Sequence, residues 1–317
     1  MEQLPPFRLV PRLESRVWGG QTLGPWLGLP DPPPQLAEVW LVYDENPIAG
    51  GPFAGRTLGD VCGEHGAALV GASSFARGGA RFPLLAKFLD AADHLSVQVH
   101  PDDAYAHGRE AASGFDGKTE AWHILHAEPG AELIHGFARA TSRAAVAAAI
   151  ADDSIMALLR RIPAQAGATV FVPAGTVHAI NAGVMLFEIQ QTSDLTYRVY
   201  DYGRPRELHL ERALDVLAYE AGADAVVAPQ AISGDRAELV RCDYFAMERW
   251  TLAEPIETAT NPATCEIVTV IDGELAIRSH AEPTVLRRGE AAVLPASLGA
   301  YVLEPAPSAT LLRCYVP

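Results

Sequence analysis

Hydrophobic and polar positions along this chain alternate in short runs rather than in long helical stripes. β-rich runs bounded by Gly, Pro and Asp occupy residues 37–43, 84–89, 96–100, 121–125, 131–136, 168–172, 184–188 and 196–200, with several more after Ala246. That spacing predicts sandwiches or small barrels rather than alternating βαβ units. Helical patterning is confined to residues 57–69, an Ala-rich segment from Ser142 to Arg161, and residues 210–217. In the middle segment Ser142 is a candidate N-cap, Val146, Ile150, Leu158 and Leu159 offer an apolar face, and Pro163 ends it. Residues 141–162 are therefore expected to form a helical insertion.

An internal echo suggests two related β units. GATVFVPAGTVHAI (167–180) aligns with GEAAVLPASLGAYV (289–302): in each, a Gly is followed six residues later by a Pro after a β-like run. Upstream of each lies a hydrophobic-x-Gly corner, at residues 134–136 and 271–273. Periodicity is lost over AGADAVVAPQAISGD (221–235), which divides the chain into an expected first domain, 1–235, and a smaller β domain, 236–317. The first copy carries His178 where the second has Ala300, so chemistry is expected in the first.

Composition narrows the class. A chain of 317 residues suggests two domains or one large β domain at about 150 residues each. With 49% apolar and 20% charged residues, disorder and fibrous repeats are excluded. The net charge of -15 disfavours nucleic acid as a partner, and an anionic substrate then needs a local basic site. Residues 162–187 contain no Asp, Glu, Lys or Arg and are long enough to span a bilayer, yet Pro163, Pro173, Gly167, Gly175 and Gly183 interrupt any helix there. Buried strands joined by turns are expected, and no membrane association. The N-terminal segment lacks a basic patch followed by an apolar run, which favours a cytoplasmic protein, monomer or homodimer. Cys62, Cys242, Cys265 and Cys314 lie far apart and are expected to be reduced core thiols.

Several polar positions carry candidate chemistry. In LSVQVHP (95–101) a strand places Ser96, Gln98 and His100 on one face and Val97 and Val99 on the other. Taken alone, those residues favour an ordinary half-exposed edge strand facing water. In GKTEAW (117–122) Lys118 and Glu120 also share a face, beside an aromatic that favours burial, and His178 follows the turn at 173–176 within the chargeless run. Two imidazoles and a carboxylate converging inside a barrel, with an amide oxygen as weaker ligand, make a site for a borderline divalent cation, zinc most readily. The candidate set is Gln98, His100, Glu120 and His178, although His94, His107, His123, His126 and His135 are equally available by composition. In EIQQTSDLTYRVYDYGR (188–204), Glu188 is a candidate general base and Arg198 a fixed cation for an oxyanion or phosphate, both expected to face one cleft. A salt-bridged surface strand is the competing account of that segment.

Together, PLLAKFLDAADHLSVQVHPDD (83–103), GKTEAW (117–122), VPAGTVHAI (172–180) and EIQQTSDLTYRVYDYGR (188–204) resemble the type I phosphomannose isomerases, particularly their short bacterial form. SRVWGG (15–20) and AEVW (37–40) are similar to the family's opening segments, although Ala37 stands where the family pattern has Gly. The resemblance runs from about Arg16 to Arg212, and the remainder fits the family's smaller C-terminal β domain. It implies a mainly β fold with a cupin-type barrel and a second, degenerate barrel. It also implies one zinc ion per chain on Gln98, His100, Glu120 and His178, with Arg198 catalytic and Glu188 matching an acidic residue proposed as base. Lys118, Lys87 and Ser96 match positions lining the sugar-phosphate pocket. The implied reaction is interconversion of mannose 6-phosphate and fructose 6-phosphate through a cis-enediol. A non-catalytic sugar-phosphate-binding module and another cupin enzyme, an epimerase or an iron dioxygenase, are the competing readings. Joint retention of Lys118, Glu120, Glu188 and Arg198 argues against mere binding.

Overall fold

The computed structural model describes residues 3–317, which form three antiparallel sheets. A seven-stranded sheet runs in the order Val226–Val227, Thr169–Val172, Glu120–Ala127, Val184–Gln191, Leu84–Ala91, Arg12–Gly20 and Leu36–Val42, the last also pairing with Leu84–Ala91. A five-stranded sheet runs Tyr197–Tyr200, Val97–Val99, His178–Ile180, Glu132–Phe137 and Leu159–Pro163. These two face each other across a core containing Leu89, Trp122, Ile124, Leu133, Val170, Ile180 and Leu186. The third, nine-stranded sheet is built from the strands between Gln230 and Tyr315, with the N-terminal Phe7–Arg8 added at its edge.

Strand parity decides which core each side chain enters. On Val184–Gln191, Val184 and Leu186 point between the two facing sheets, whereas Met185, Phe187 and Ile189 point to a second core shared with Ile267, Val293, Leu312 and Cys314 of the nine-stranded sheet. That second core is completed by the short helices Leu58–His65 and Ala67–Val70, through Leu58, Val61, Leu69 and Val70. A third core, on the outer face of the five-stranded sheet, packs Val97, Val99, Ile134 and Val199 under the helices Arg143–Ala151 and Leu210–Val216. The chargeless run is resolved into the strands Thr169–Val172 and His178–Ile180 and the start of Val184–Gln191. No helix among the described residues is long and apolar enough to cross a membrane. The four cysteines are unpaired, and three of them are buried.

Two helical expectations need correction. Residues 141–162 do not form one helical insertion: Ser142 caps a helix that ends at Ala151, its hydroxyl accepting from the Ala145 N–H at 3.2 Å. Asp153 then takes a left-handed conformation, φ 64°, and Leu159–Pro163 is an edge strand paired with Glu132–Phe137. The AspAspSer break ends the 3.6-residue period, and Leu159 and Ile162 enter different cores on opposite faces of the sheet. Likewise the helix expected over 57–69 is two helices hinged at Gly66, φ 47°.

The echo is structural. Gly167 and Gly289, at φ 85° and 87°, each precede a four-residue strand, Thr169–Val172 and Ala291–Leu294. Gly136 and Gly273, at φ 71° and 78°, each sit at a register break. A Cβ at Gly273 would stand 2.1 Å from the Ser308 carbonyl oxygen, so only glycine fits that bulge. The second unit's interior differs from the first in being self-satisfied. Arg313 donates twice to Glu266, at 2.7 Å each, and Glu248 accepts from Trp250, Tyr315 and Arg313. Its two buried carboxylates, Glu248 and Glu266, are thus each held by several donors of the unit itself.

Candidate active site

Along the strands of the first unit, inward-facing residues change from apolar to polar toward one end. Val184 and Leu186 give way to Glu188 and Gln190, Ala91 and Leu89 to Lys87, Ile124 to Glu120, and Ile180 to His178. Cross-strand register aligns these changes: Glu188 pairs with both Lys87 and Trp122, Gln190 with Glu120, and His178 and Arg198 each with Gln98. A polar cavity floor is therefore set by register, with the apolar core closing the other end.

Ligating atoms of His100, Glu120 and His178 lie within 4.8 Å of one another, all three residues buried. His178 Nε2 is 3.3 Å from Glu120 Oε1, and His100 Nε2 is 3.5 Å from Glu120 Oε2. Both imidazoles are oriented from behind: His100 Nδ1 meets the Leu195 carbonyl at 2.9 Å and His178 Nδ1 the Thr176 carbonyl at 2.8 Å. Donation of each Nδ1–H to a carbonyl leaves each Nε2 lone pair facing the centre, the arrangement of metal-binding histidines. His100 Nε2 is buried without a hydrogen-bond partner and Glu120 Oε2 has only the Lys118 ammonium beside it, at 3.0 Å, so a divalent cation would find both lone pairs facing it. Gln98 stands at the same centre, its Nε2 3.3 Å from His178 Nε2, and turning the amide over presents Oε1 instead. The donor set fits a cation of the zinc class, and the structure supports a metal cofactor. The five other candidate histidines named above have different partners or are exposed: His94 contacts Asn181, His107 Asp116, His123 Thr169 and His135 the Phe171 carbonyl, while His126 faces solvent.

Electrostatics separate the buried groups. Burial lowers His100 to about 3, assisted by Lys118, and lowers His178 to about 4 against the pull of Glu120, so both are neutral ligands near neutrality. Burial pushes Glu120 upward, but Lys118, 3.0 Å away, and the imidazoles outweigh it and hold this carboxyl well below the usual range. Glu188 goes the other way. Burial and then the charge of Glu120 raise it, although Lys87 opposes. Lys87 Nζ lies 3.1 Å from Glu188 Oε1 and 3.5 Å from Glu38 Oε2, while the indoles of Trp122 and Trp40 donate to Glu188 and Glu38 at 2.9 and 2.7 Å. Three buried carboxylates thus face two buried ammoniums, with the Arg16 guanidinium 3.8 Å from Glu38.

Glu38 was not singled out from the sequence, where it sits unremarked in AEVW. Its alternation with Trp40 on one strand face was the available signal, but its partner Lys87 is remote in the chain. Glu188 and Arg198 both line the inner side without sharing one contact set. Arg198 Nη1 donates to the Glu207 carbonyl at 2.7 Å, and its Nε, 3.9 Å from Asp201, is buried without a hydrogen bond. Arg204 and Arg206 also pair with Asp201, and Arg204 with Asp93, so both of these guanidiniums are already engaged by carboxylates. Gln98 and Arg198 are only partly covered, whereas Ser96, Lys87, Lys118 and Glu188 are buried.

Comparison with known proteins agrees with this architecture. Residues 6–120 match the family model of the phosphomannose isomerase type I catalytic domain, and residues 235–316 that of the mannose-6-phosphate isomerase cupin domain. The chain is 35% identical to a mannose-6-phosphate isomerase of Streptococcus mutans over 310 residues, covering 94% of this chain and 95% of that protein. The crystal structure of the mannose 6-phosphate isomerase from Bacillus subtilis superposes with a TM-score of 0.86 at 32% identity, covering 98% and 99% of the two chains. A zinc-bound mannose 6-phosphate isomerase shares the fold, with a TM-score of 0.78 at 19% identity and the same coverage.

Proposed function

This chain belongs to the type I phosphomannose isomerase family, and we propose that its buried cavity interconverts mannose 6-phosphate and fructose 6-phosphate through a cis-enediol, with one zinc ion per chain. The observation that carries the reading is the convergence of two back-oriented imidazoles and Glu120 beside the buried Lys87–Glu188 pair. His100, Glu120 and His178 would hold the zinc with Gln98. When bound, the ion supplies positive charge for the oxygens on C1 and C2 of the sugar.

Glu188 takes the proton from C2 and returns it to C1 while the O2 hydroxyl proton passes to O1, and removal of the carbon-bound proton suits a carboxyl whose pKa is raised by burial. Trp122 and Lys87 fix that carboxylate from two sides, so little reorganisation accompanies proton transfer. Lys118 and Arg198 meet the negative charge that develops on the enediol oxygens. Ser96 and Arg198, whose Nε is buried without a hydrogen-bond partner, favour the phosphate end of the substrate, the local basic site that a chain of net charge -15 requires. A module that only binds sugar phosphate has no need of the Glu188 base.

Incubation of the purified protein with mannose 6-phosphate should yield fructose 6-phosphate, and a chelator should abolish this. Product formation indifferent to chelation would refute the metal assignment, and binding without product would leave only the module. Arg198→Ala should lower turnover by roughly 100-fold while leaving the urea midpoint nearly unchanged, because its guanidinium serves charge at a partly open position. A midpoint that fell in step with activity would assign Arg198 to structure.

A further inference from the structure

The catalytic lysine lies on a short segment that precedes the strand carrying the carboxylate ligand Glu120. The strand begins at Glu120, so residues 117–119, including Lys118, lie outside its ladder. The Lys118 N–H is held by the main chain, donating to the Pro101 carbonyl at 2.9 Å, and the residues on either side of it are held by side chains. The Gly117 N–H donates to Asp103 Oδ1 at 2.9 Å, and the Thr119 N–H donates to Gln191 Oε1 at 2.9 Å. Gln191 Nε2 donates to the same Asp103 oxygen, again at 2.9 Å, and the Gln191 N–H returns to the Thr119 carbonyl at 3.2 Å. Gly117 is pressed against the start of the helix Asp103–Arg109, where a Cβ would meet the Asp102 carbonyl carbon at 2.5 Å.

We propose that Asp103 and Gln191 are positioning residues for the isomerase: one carboxylate oxygen and one amide clamp residues 117–119 and so set where Lys118 and Glu120 enter the cavity. Neither side chain belongs to the candidate ligand set or to the acid-base pair. Thr119 and Gln191 are buried, so loss of either acceptor leaves an unsatisfied N–H that the segment relieves by moving. A displacement of about 1 Å at a group this close to the chemistry costs on the order of 100-fold in rate. The clamp also reaches the second β unit, because Tyr244 lines the same small cavity as Asp103 and Gln191. Burial, followed by the Asp103 charge, pushes the Tyr244 phenol up to about 12, keeping it a neutral donor facing that carboxylate.

The inference rests on the isomerase reading, so the test has one arm that does not need turnover. Asp103→Ala, Asp103→Asn and Gln191→Ala in the full-length, metal-loaded chain are compared for kcat, KM, the chelator concentration that strips half the metal, and the urea midpoint. Asparagine keeps an oxygen for both donors, and alanine keeps neither. Asp103→Ala and Gln191→Ala should lower kcat about 10- to 100-fold and release metal at lower chelator concentration, with KM moving much less. Asp103→Asn should restore both properties to within a few-fold of the parent. The helix cap is Asp102, which accepts from Tyr105, so Asp103→Ala leaves it intact. Parental kcat and chelator resistance in Asp103→Ala would overturn the proposal, as would Asp103→Asn failing like alanine. Were the parent itself inactive, the isomerase reading would fail while the chelator arm still decided the clamp.

Discussion

His100→Ala should give a folded protein that no longer retains metal and turns over slower by on the order of a thousandfold or more. Of the candidate donors, two imidazoles and one carboxylate are strong, and the Gln98 amide is a weak neutral oxygen. Removing His100 leaves one imidazole, one carboxylate and the amide, too few to compete with water for a borderline cation. The fold should survive because His100 follows a short strand whose apolar side, Val97 and Val99, enters a different core. The lost structural contact is the bond from Nδ1 to the Leu195 carbonyl, worth about 1–3 kcal/mol against a total stability of about 5–15 kcal/mol. Elemental analysis, turnover and a urea midpoint on one preparation check all three parts. Survival of both metal and activity would remove the metal centre from this account.

What could be read from the sequence was what depends on local periodicity. Alternation placed Gln98 and His100 opposite Val97 and Val99, and the internal echo pointed to His178, since its counterpart in the second copy is Ala300. Proline and glycine spacing correctly argued against a membrane helix through residues 162–187. Pairing between remote strands was not legible. Nothing local reveals that Gln190 lies against Glu120 or that Trp40 lies against Lys87, so Glu38 went unrecognised and Glu188 was matched with Arg198 instead of Lys87. The overextended helix had a similar cause: leucines at 158 and 159 satisfy a helical stripe and a strand equally, and pairing with Glu132–Phe137 decided between them. Lys87 came from the family resemblance alone, which also gave a pocket position to Ser96, already placed by alternation on the face of Gln98 and His100.

Glu188→Gln should lower kcat about 100- to 10,000-fold with metal content unchanged, the span expected when a positioned base is lost. Glutamine has the size of glutamate and keeps an oxygen for the Trp122 indole, so the substitution removes charge and basicity with little change in packing. Lys87 retains Glu38 at 3.5 Å as a counter-charge, which limits the cost of the unpaired ammonium. The pH profile gives an independent reading. A base acts in its ionised form, and burial together with the Glu120 charge raises Glu188 above the ordinary carboxylate range. Turnover of the parent should therefore fall, as pH decreases, at a higher pH than an exposed glutamate would dictate. The residual activity of Glu188→Gln should lack that limb, because the group that titrates is gone. Near-parental turnover in the variant, or an unchanged acid limb, would transfer proton transfer to another residue, with the cavity's histidines next to be tested.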